Sequence, residues 1–124
     1  MAEAWLRRLG GRWFEAHSAG TQPRARIHPL TTRVMEEVGV DTSYHWAKSV
    51  DLYAGERFDH VITVCDQANE ACPIFPGSHE RLHWSLPDPA AVGGTPQERL
   101  EAFRQSREEI RRRVVEFVAT HTED

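Results

Sequence analysis

The sequence has no apolar stretch that approaches the roughly 18 residues needed to cross a membrane. Its first residues, MAEAWLRRLGG, lack the apolar core of a secretory signal. With two cysteines in 124 residues, it also lacks the disulfide framework of a small secreted protein. We therefore expect a soluble protein of the cytoplasm that does not associate with membranes.

Lysine is scarce as well, since Lys48 is the only one among 15 basic residues. The formal net charge is -4, which argues against a nucleic-acid partner. The one basic cluster, residues 111–113, falls late in an amphipathic helical pattern, and we interpret it as part of a solvated helix face. The composition is otherwise that of a globular protein, with 40% hydrophobic and 27% charged residues. We expect a single domain over residues 1–124, large enough for one hydrophobic core.

Helical and strand patterns alternate along the chain, which predicts an α/β fold with a parallel sheet. We expect helices over residues 2–9, 29–38 and 96–119, a short helix near 50–53, and strands over 13–18, 60–65 and 81–86. The last helix has the strongest signal, since Thr95 and Glu98 form a capping box with Pro96 at the first helical position. The strand over 60–65, HVITVC, lacks alternation and is typical of a strand covered on both faces.

The sequence lacks a glycine-rich loop that could hold an oxyanion and a cysteine thiolate. The residue six positions after Cys65 is Ala71, and the one six positions after Cys72 is Ser78, so neither cysteine belongs to a Cys-x5-Arg motif. If residues 65–72 were one continuous helix, the two cysteines would lie roughly 10 Å apart, at about 1.5 Å per residue. A disulfide requires Cα atoms about 4.4 to 6.8 Å apart, so this pair could bond only if the helix unwinds. Spacing alone leaves open a labile redox pair and two buried thiols that never meet.

Other polar residues have competing interpretations. Asp88, between Pro87 and Pro89, is either a general acid in a stiff loop or an ordinary turn aspartate. Three predicted strand ends, at residues 18–21, 65–66 and 87–89, could together line one crevice at the sheet edge. A zinc site using Cys65, Cys72, His79 and His83 is a weaker alternative, because a Cys-x6-Cys pair is wider than the usual zinc-binding spacing and His83 is expected to be packed and hydrogen-bonded beside Trp84. No role is assigned to the remaining histidines: His17, His28, His45, His60 and His121.

Several segments, in the same order, resemble the low-molecular-weight tyrosine phosphatase superfamily, and most closely its thioredoxin-coupled arsenate reductases. They are MAEAWLRRL, SAGT, HPLTTRVMEEVGVDTSYH, FDHVITVCDQANEACPIFPG, HWSLPDPA and the final helix. The most discriminating part is VITVCDQANEACP, because the Cys-x6-Cys spacing marks the reductases. The phosphatases lack that pair and usually carry tyrosines where this chain has Ala90 and Ala91. The resemblance implies a three-layer fold with a four-stranded parallel sheet and helices on both faces.

The resemblance also implies a cysteine relay that reduces arsenate to arsenite. In that family a Cys-x5-Arg nucleophile attacks arsenate, and an aspartate matching Asp88 acts as the acid. Cys65 would then release arsenite from the nucleophile, and Cys72 would attack Cys65. The resulting Cys65–Cys72 disulfide would be reduced by thioredoxin or a similar reductant. The implied partners are this reductant and arsenate or a phosphate-like oxyanion.

One departure from the family concerns the beginning of the chain. The family's first strand and its Cys-x5-Arg loop precede the segment that matches MAEAWLRR, so we expect a chain that is incomplete at its N-terminus and inactive as given. Its exposed strand edges could support a homo-oligomer. The alternatives are a phosphatase-like hydrolase and a non-catalytic oligomeric or zinc-holding module.

Some family members bind potassium. Glu3 and Ser18 match two of the potassium positions, whereas Trp46 and Lys48 fall where other ligands would be. A lysine ammonium at such a position would repel a cation. We therefore expect no potassium, and no other metal or cofactor.

Overall fold

Three α-helices and one pair of parallel strands form the part of the chain that the computed structural model describes, which is residues 1–19, 27–42, 45, 48–53, 55–64 and 78–121. The helices are α1 (Ala2–Gly10), α2 (Pro29–Glu36) and α3 (Pro96–His121), and the strands are β1 (Phe58–Thr63) and β2 (Ser78–His83). Single turns of 3₁₀ helix cover Gly11–Trp13, Val50–Tyr53 and Pro89–Ala91. Within these ranges, no helix is both long and apolar enough to span a membrane.

The long helix α3 begins at the capping box that the sequence predicts. The Thr95 amide donates to Glu98 Oε1 at 2.9 Å, and the Glu98 amide donates to Thr95 Oγ1 at 3.1 Å, so each residue caps a backbone donor of the other. One face of α3 is buried and contacts both α1 and α2. The buried residues of this face are Leu100, Phe103, Ile110, Val114 and Phe117. The basic cluster is solvated as expected, with Arg112 and Arg113 paired to Glu109.

Helix α2 ends where the sequence places a glycine. Gly39 has a φ of 77°, a left-handed conformation that glycine adopts readily. The Val40 amide donates to the Met35 carbonyl at 2.9 Å and the Gly39 amide to the Glu36 carbonyl at 3.0 Å, which together form a Schellman motif. Met35 and Val40 both join the buried core. The predicted stop at Gly39 is therefore confirmed.

The sheet is parallel, as the alternation of elements predicts. His60 pairs with Glu80, Ile62 with Leu82, and Thr63 with His83. Both strands start and end earlier than predicted, since β1 covers 58–63 and β2 covers 78–83. The prediction that the strand at 60–65 is covered on both faces is also wrong. No β1 side chain is fully buried, and the following residue, Val64, is 44% exposed. A run of β-branched residues indicates a strand, but what covers its faces depends on the rest of the sheet.

The predicted strand over residues 13–18 is wrong. Gly11–Trp13 form a 3₁₀ turn, and residues 14–19 belong to no strand. Phe14 has extended backbone and packs its ring 5.5 Å from that of Phe117, while the Ala16 carbonyl accepts a hydrogen bond from Arg7 at 2.7 Å. Within this segment only Ala16 is buried. A strand additionally needs a hydrogen-bonded neighbour, which the described residues do not supply to this segment.

Candidate functional site at the carboxyl edge of the sheet

The two parallel strands end side by side. Thr63 and His83 are the last residues of β1 and β2 and lie opposite each other, and the Trp84 amide extends the pairing to the Thr63 carbonyl at 2.8 Å. The His83 Nδ1 atom lies 2.5 Å from Thr63 Oγ1, which confirms the expectation of a packed, hydrogen-bonded histidine. Because ligands of open α/β sheets bind beyond the carboxyl ends of parallel strands, this edge is the candidate site.

Asp88 follows β2 at this edge in a firmly held loop. Trp84 and Leu86, between β2 and Asp88, are buried and anchor the loop to the core. The Ala90 amide donates to Asp88 Oδ1 at 2.9 Å, so the aspartate caps the 3₁₀ turn Pro89–Ala91. Ala90 itself packs against the buried residues of α2 and α3. The Asp88 side chain is therefore a turn cap, as one interpretation predicts, and it is also exposed to solvent as an acid that meets a substrate must be.

Both cysteines lie outside the described residues. Cys65 comes two residues after the end of β1 in the sequence, and Cys72 belongs to the same undescribed range, 65–77. The zinc alternative has the same limit, because both cysteines and the His79 side chain are outside the description and only the His83 ring remains, bonded to Thr63.

A second polar cluster surrounds the buried carboxylate of Glu3 on α1. Arg7 Nε donates to Glu3 Oε2 at 2.9 Å, and the Ser18 hydroxyl donates to Glu3 Oε1. Lys48 Nζ lies 3.7 Å and His45 Nδ1 3.9 Å from the same Oε1 atom. Glu3, Arg7, His45 and Lys48 line a cavity of about 330 Å³. Glu3 thus receives contacts from its own helix, from Ser18 and from His45 and Lys48, and ties the start of α1 to the loops around it.

The charges in this cluster bear on whether it could bind a potassium ion. Burial would raise the pKa of Glu3, but hydrogen bonds from Ser18 and Arg7 and the nearby Lys48 charge hold that pKa below its usual range. Burial also lowers the pKa of His45, although the Glu3 charge opposes this. The Lys48 ammonium, itself almost buried, already stands beside the carboxylate that a cation would use. These residues do not fit a potassium ion.

Sequence reasoning missed a third cluster, formed by His60, Glu80 and His121. One ligand atom from each residue lies within 4.8 Å of the others. Hydrogen bonds from His60 and His121 hold the pKa of Glu80 below its usual range. The three residues stand on β1, β2 and the end of α3, so their spacing in the sequence carries no metal-site signal. The register that sets His60 beside Glu80 could be found only from the folded sheet.

The sequence model of the low-molecular-weight phosphotyrosine protein phosphatase family matches residues 1–124, and the chain belongs to this family. Within it, the chain is similar to bacterial arsenate reductases. It is 34% identical to the arsenate reductase of Halalkalibacterium halodurans over 120 residues, which cover 97% of this chain and 86% of that protein. The arsenate reductase of Bacillus subtilis matches at the same identity and coverage. That of Bacillus licheniformis is 35% identical over 121 residues, again 97% of this chain and 86% of the relative.

Solved structures agree with the sequence comparison. The fold is similar to that of an arsenate reductase in the phosphate-binding state, with a TM-score of 0.80 and 27% identity, over 98% of this chain and 87% of that one. An arsenate reductase in the reduced state gives a TM-score of 0.77 with the same identity and coverage. The expected low-molecular-weight phosphatase-like α/β fold is confirmed. The described part shows the parallel pair and three helices of that fold.

Proposed function

We propose that this chain carries the thiol relay of a thioredoxin-coupled arsenate reductase, with Cys65 and Cys72 as the redox pair and Asp88 as the general acid. The observation that carries the proposal is that both groups follow the carboxyl ends of two paired parallel strands. Asp88 is held in an exposed turn five residues after β2, and β1 ends two residues before Cys65 in the sequence. The similarity to arsenate reductases over 97% of the chain supports the same assignment.

The proposed relay transfers two electrons from the two thiols to arsenate, and then two electrons from a reductant to the resulting disulfide. Reduction of arsenate to arsenite takes two electrons and removes one oxygen as water. The Cys65 and Cys72 thiols supply those electrons and lose two protons as their sulfurs join in a disulfide. A dithiol reductant of the thioredoxin type then transfers two electrons and two protons to the pair, which restores both thiols. Each cycle therefore consumes one reductant dithiol, which leaves as a disulfide, for each arsenate reduced.

Asp88 has the properties that proton delivery requires. The Ala90 amide holds Oδ1, so the carboxyl group has a fixed orientation, and the proposal assigns proton transfer to Oδ2. The prolines on either side limit backbone rotation. Asp88→Asn keeps the oxygen that caps the turn but cannot release a proton. In a chain extended by a family-like Cys-x5-Arg segment, we expect it to slow arsenate reduction, and in either chain it should leave oxidation of the two thiols by a small disulfide unaffected.

The relay is tested on the full 124-residue chain. Mild oxidation by glutathione disulfide should remove both titratable thiols, lower the mass by two hydrogens without dimerisation, and be reversed by thioredoxin with its reductase and NADPH. The matched variants Cys65→Ser and Cys72→Ser each keep one cysteine. On oxidation, that cysteine should form a mixed disulfide with glutathione or an intermolecular dimer. If both thiols of the wild type stay titratable, or thioredoxin does not reduce the oxidised form, the relay is wrong.

Within the same proposal, these 124 residues do not turn over arsenate by themselves, since the printed sequence contains no Cys-x5-Arg nucleophile. NADPH consumption in the thioredoxin-coupled assay should therefore equal the arsenate-free rate. Adding in front of Met1 a family-like strand and Cys-x5-Arg loop should restore turnover. Sustained arsenate turnover by the 124-residue chain would contradict this part of the proposal without affecting the disulfide test.

A phosphatase-like hydrolase is the second candidate, favoured by the description of the matching family. Ala90 and Ala91 argue against it, because Ala90 packs on the core in a region where the resembling phosphatases carry tyrosines. The extended chain decides between the two. Hydrolysis of p-nitrophenyl phosphate that Cys65→Ser leaves unchanged, without arsenate turnover, would favour the hydrolase.

A further inference from the structure

A set of metal-ligating side chains lies outside the candidate site described above. His60 Nδ1 lies 2.7 Å and His121 Nε2 lies 3.1 Å from the same atom, Glu80 Oε1. The His60 and His121 rings meet edge to face, at an interplanar angle of 75° and a centroid distance of 4.6 Å. All three side chains are partly open to solvent, with exposed fractions of 27%, 44% and 21% for His60, Glu80 and His121. The cluster can therefore exchange a small ligand with solution.

The hydrogen bonds of this cluster need one more proton than two neutral imidazoles carry. His121 Nδ1 lies 2.9 Å from the Phe117 carbonyl oxygen, which can only accept, so this nitrogen donates. A neutral His121 then presents the lone pair of Nε2 to the Glu80 carboxylate, with no proton between the two acceptors. The single N–H proton of a neutral His60 is used in the contact of His60 Nδ1 with Glu80. One further positive centre, either a proton or a metal cation between His121 Nε2 and Glu80, is required to satisfy all three contacts.

We propose that His60, Glu80 and His121 form a binding site for one zinc-class divalent metal ion, with solvent completing the coordination. Imidazole nitrogens and a carboxylate oxygen are a ligand set that zinc prefers. Zinc–nitrogen and zinc–oxygen distances of about 2.0–2.2 Å separate tetrahedral ligands by about 3.3–3.6 Å, so the two contacts to Glu80, at 2.7 and 3.1 Å, need to open by less than about 1 Å.

Surrounding groups already support the metal-bound form. The Phe117 carbonyl fixes the His121 tautomer that leaves Nε2 available, which is how a second hydrogen bond commonly orients a histidine ligand. The ring of Phe117 stacks on His121 at 4.2 Å and holds its plane. His121 is also the last residue of α3, where the helix dipole favours a cation. A bound ion would join this helix end to both strands of the sheet.

The test uses zinc alone on the full chain, with both cysteines alkylated by iodoacetamide so that thiols cannot bind the metal. Calorimetry should give one zinc per chain, and Glu80→Gln and His121→Ala should each weaken binding at least tenfold, since loss of an outer-shell partner alone costs about 10–100-fold. His17→Gln is the matched control, because His17 pairs with Glu15 at 3.0 Å elsewhere on the surface. It should bind zinc like the wild type.

Two further readouts distinguish the proposed site from a folding effect. Zinc should raise the Tm of the wild type but not that of Glu80→Gln, a surface variant that keeps the size of the side chain. Cobalt should give the visible spectrum of nitrogen and oxygen ligation without a thiolate charge-transfer band. Absence of zinc binding, or equal affinity in the wild type and in Glu80→Gln and His121→Ala, would overturn the proposal.

Discussion

Phe103 is the side chain whose removal tests how the Asp88 loop is supported. It is only 2% exposed and packs with Val34 of α2 and Leu100 of α3, while Ala90 covers the same cluster. Its ring also lies 4.7 Å from that of His28 at the start of α2. Phe103→Ala would therefore leave a cavity where α2, α3 and the turn after Asp88 meet.

The expected cost follows from burial. Withdrawing a side chain of this size from water contributes about 1.5–3 kcal/mol, and an unfilled cavity raises the cost of Phe→Ala to about 3–5 kcal/mol. Small domains have a total unfolding free energy of about 5–15 kcal/mol, so the variant should stay folded but unfold at much lower denaturant concentration. Phe103→Leu should fall between the wild type and Phe103→Ala.

Guanidinium unfolding followed by circular dichroism measures this loss as a shift in midpoint at constant slope. Val115→Ala is the matched control on the same helix, because Val115 is 42% exposed and its change should stay within about 0.5 kcal/mol. If Phe103→Ala costs no more than Val115→Ala, the assignment of Phe103 to the core beneath the Asp88 turn is wrong.

Three further predictions concern helix ends and acid stability. Thr95→Ala should lower the free energy of unfolding by about 1 kcal/mol in urea titrations, whereas Glu98→Gln, which keeps an acceptor for the cap, should cost clearly less; equal losses would contradict the capping box. Glu37 has its pKa lowered to about 2, chiefly by the Arg104 hydrogen bonds, from an ordinary 4.5. Its contribution should be complete above pH 4.5 and lost as pH falls towards 2, and acid titrations of Glu37→Gln should lack this component; an unchanged acid profile would refute it. Gly39→Ala should cost about 1–2 kcal/mol through backbone strain alone, since open space surrounds the added carbon, and Gly39→Asn should cost less; thermal unfolding that is unchanged in Gly39→Ala would contradict the left-handed cap.

The sequence by itself determined the elements whose signals are local. The capping box at Thr95 and the apolar face of α3 predicted that helix to within two residues at its end. Gly39 predicted the end of α2, because a left-handed residue is a local demand of the backbone. The parallel arrangement followed from the order of the elements, and segments along nearly the whole chain, above all VITVCDQANEACP, indicated the family.

Only the tertiary structure decided which residues meet. The extended segment at 13–18 is not a strand, because a strand depends on a neighbour rather than on its own residues. His60, Glu80 and His121 come together through strand register and the length of α3, neither of which leaves a pattern along the chain. Lys48 reaches the buried Glu3 in the same way. Local propensity acts over a few residues, whereas these contacts join distant segments and exist only once the core has formed.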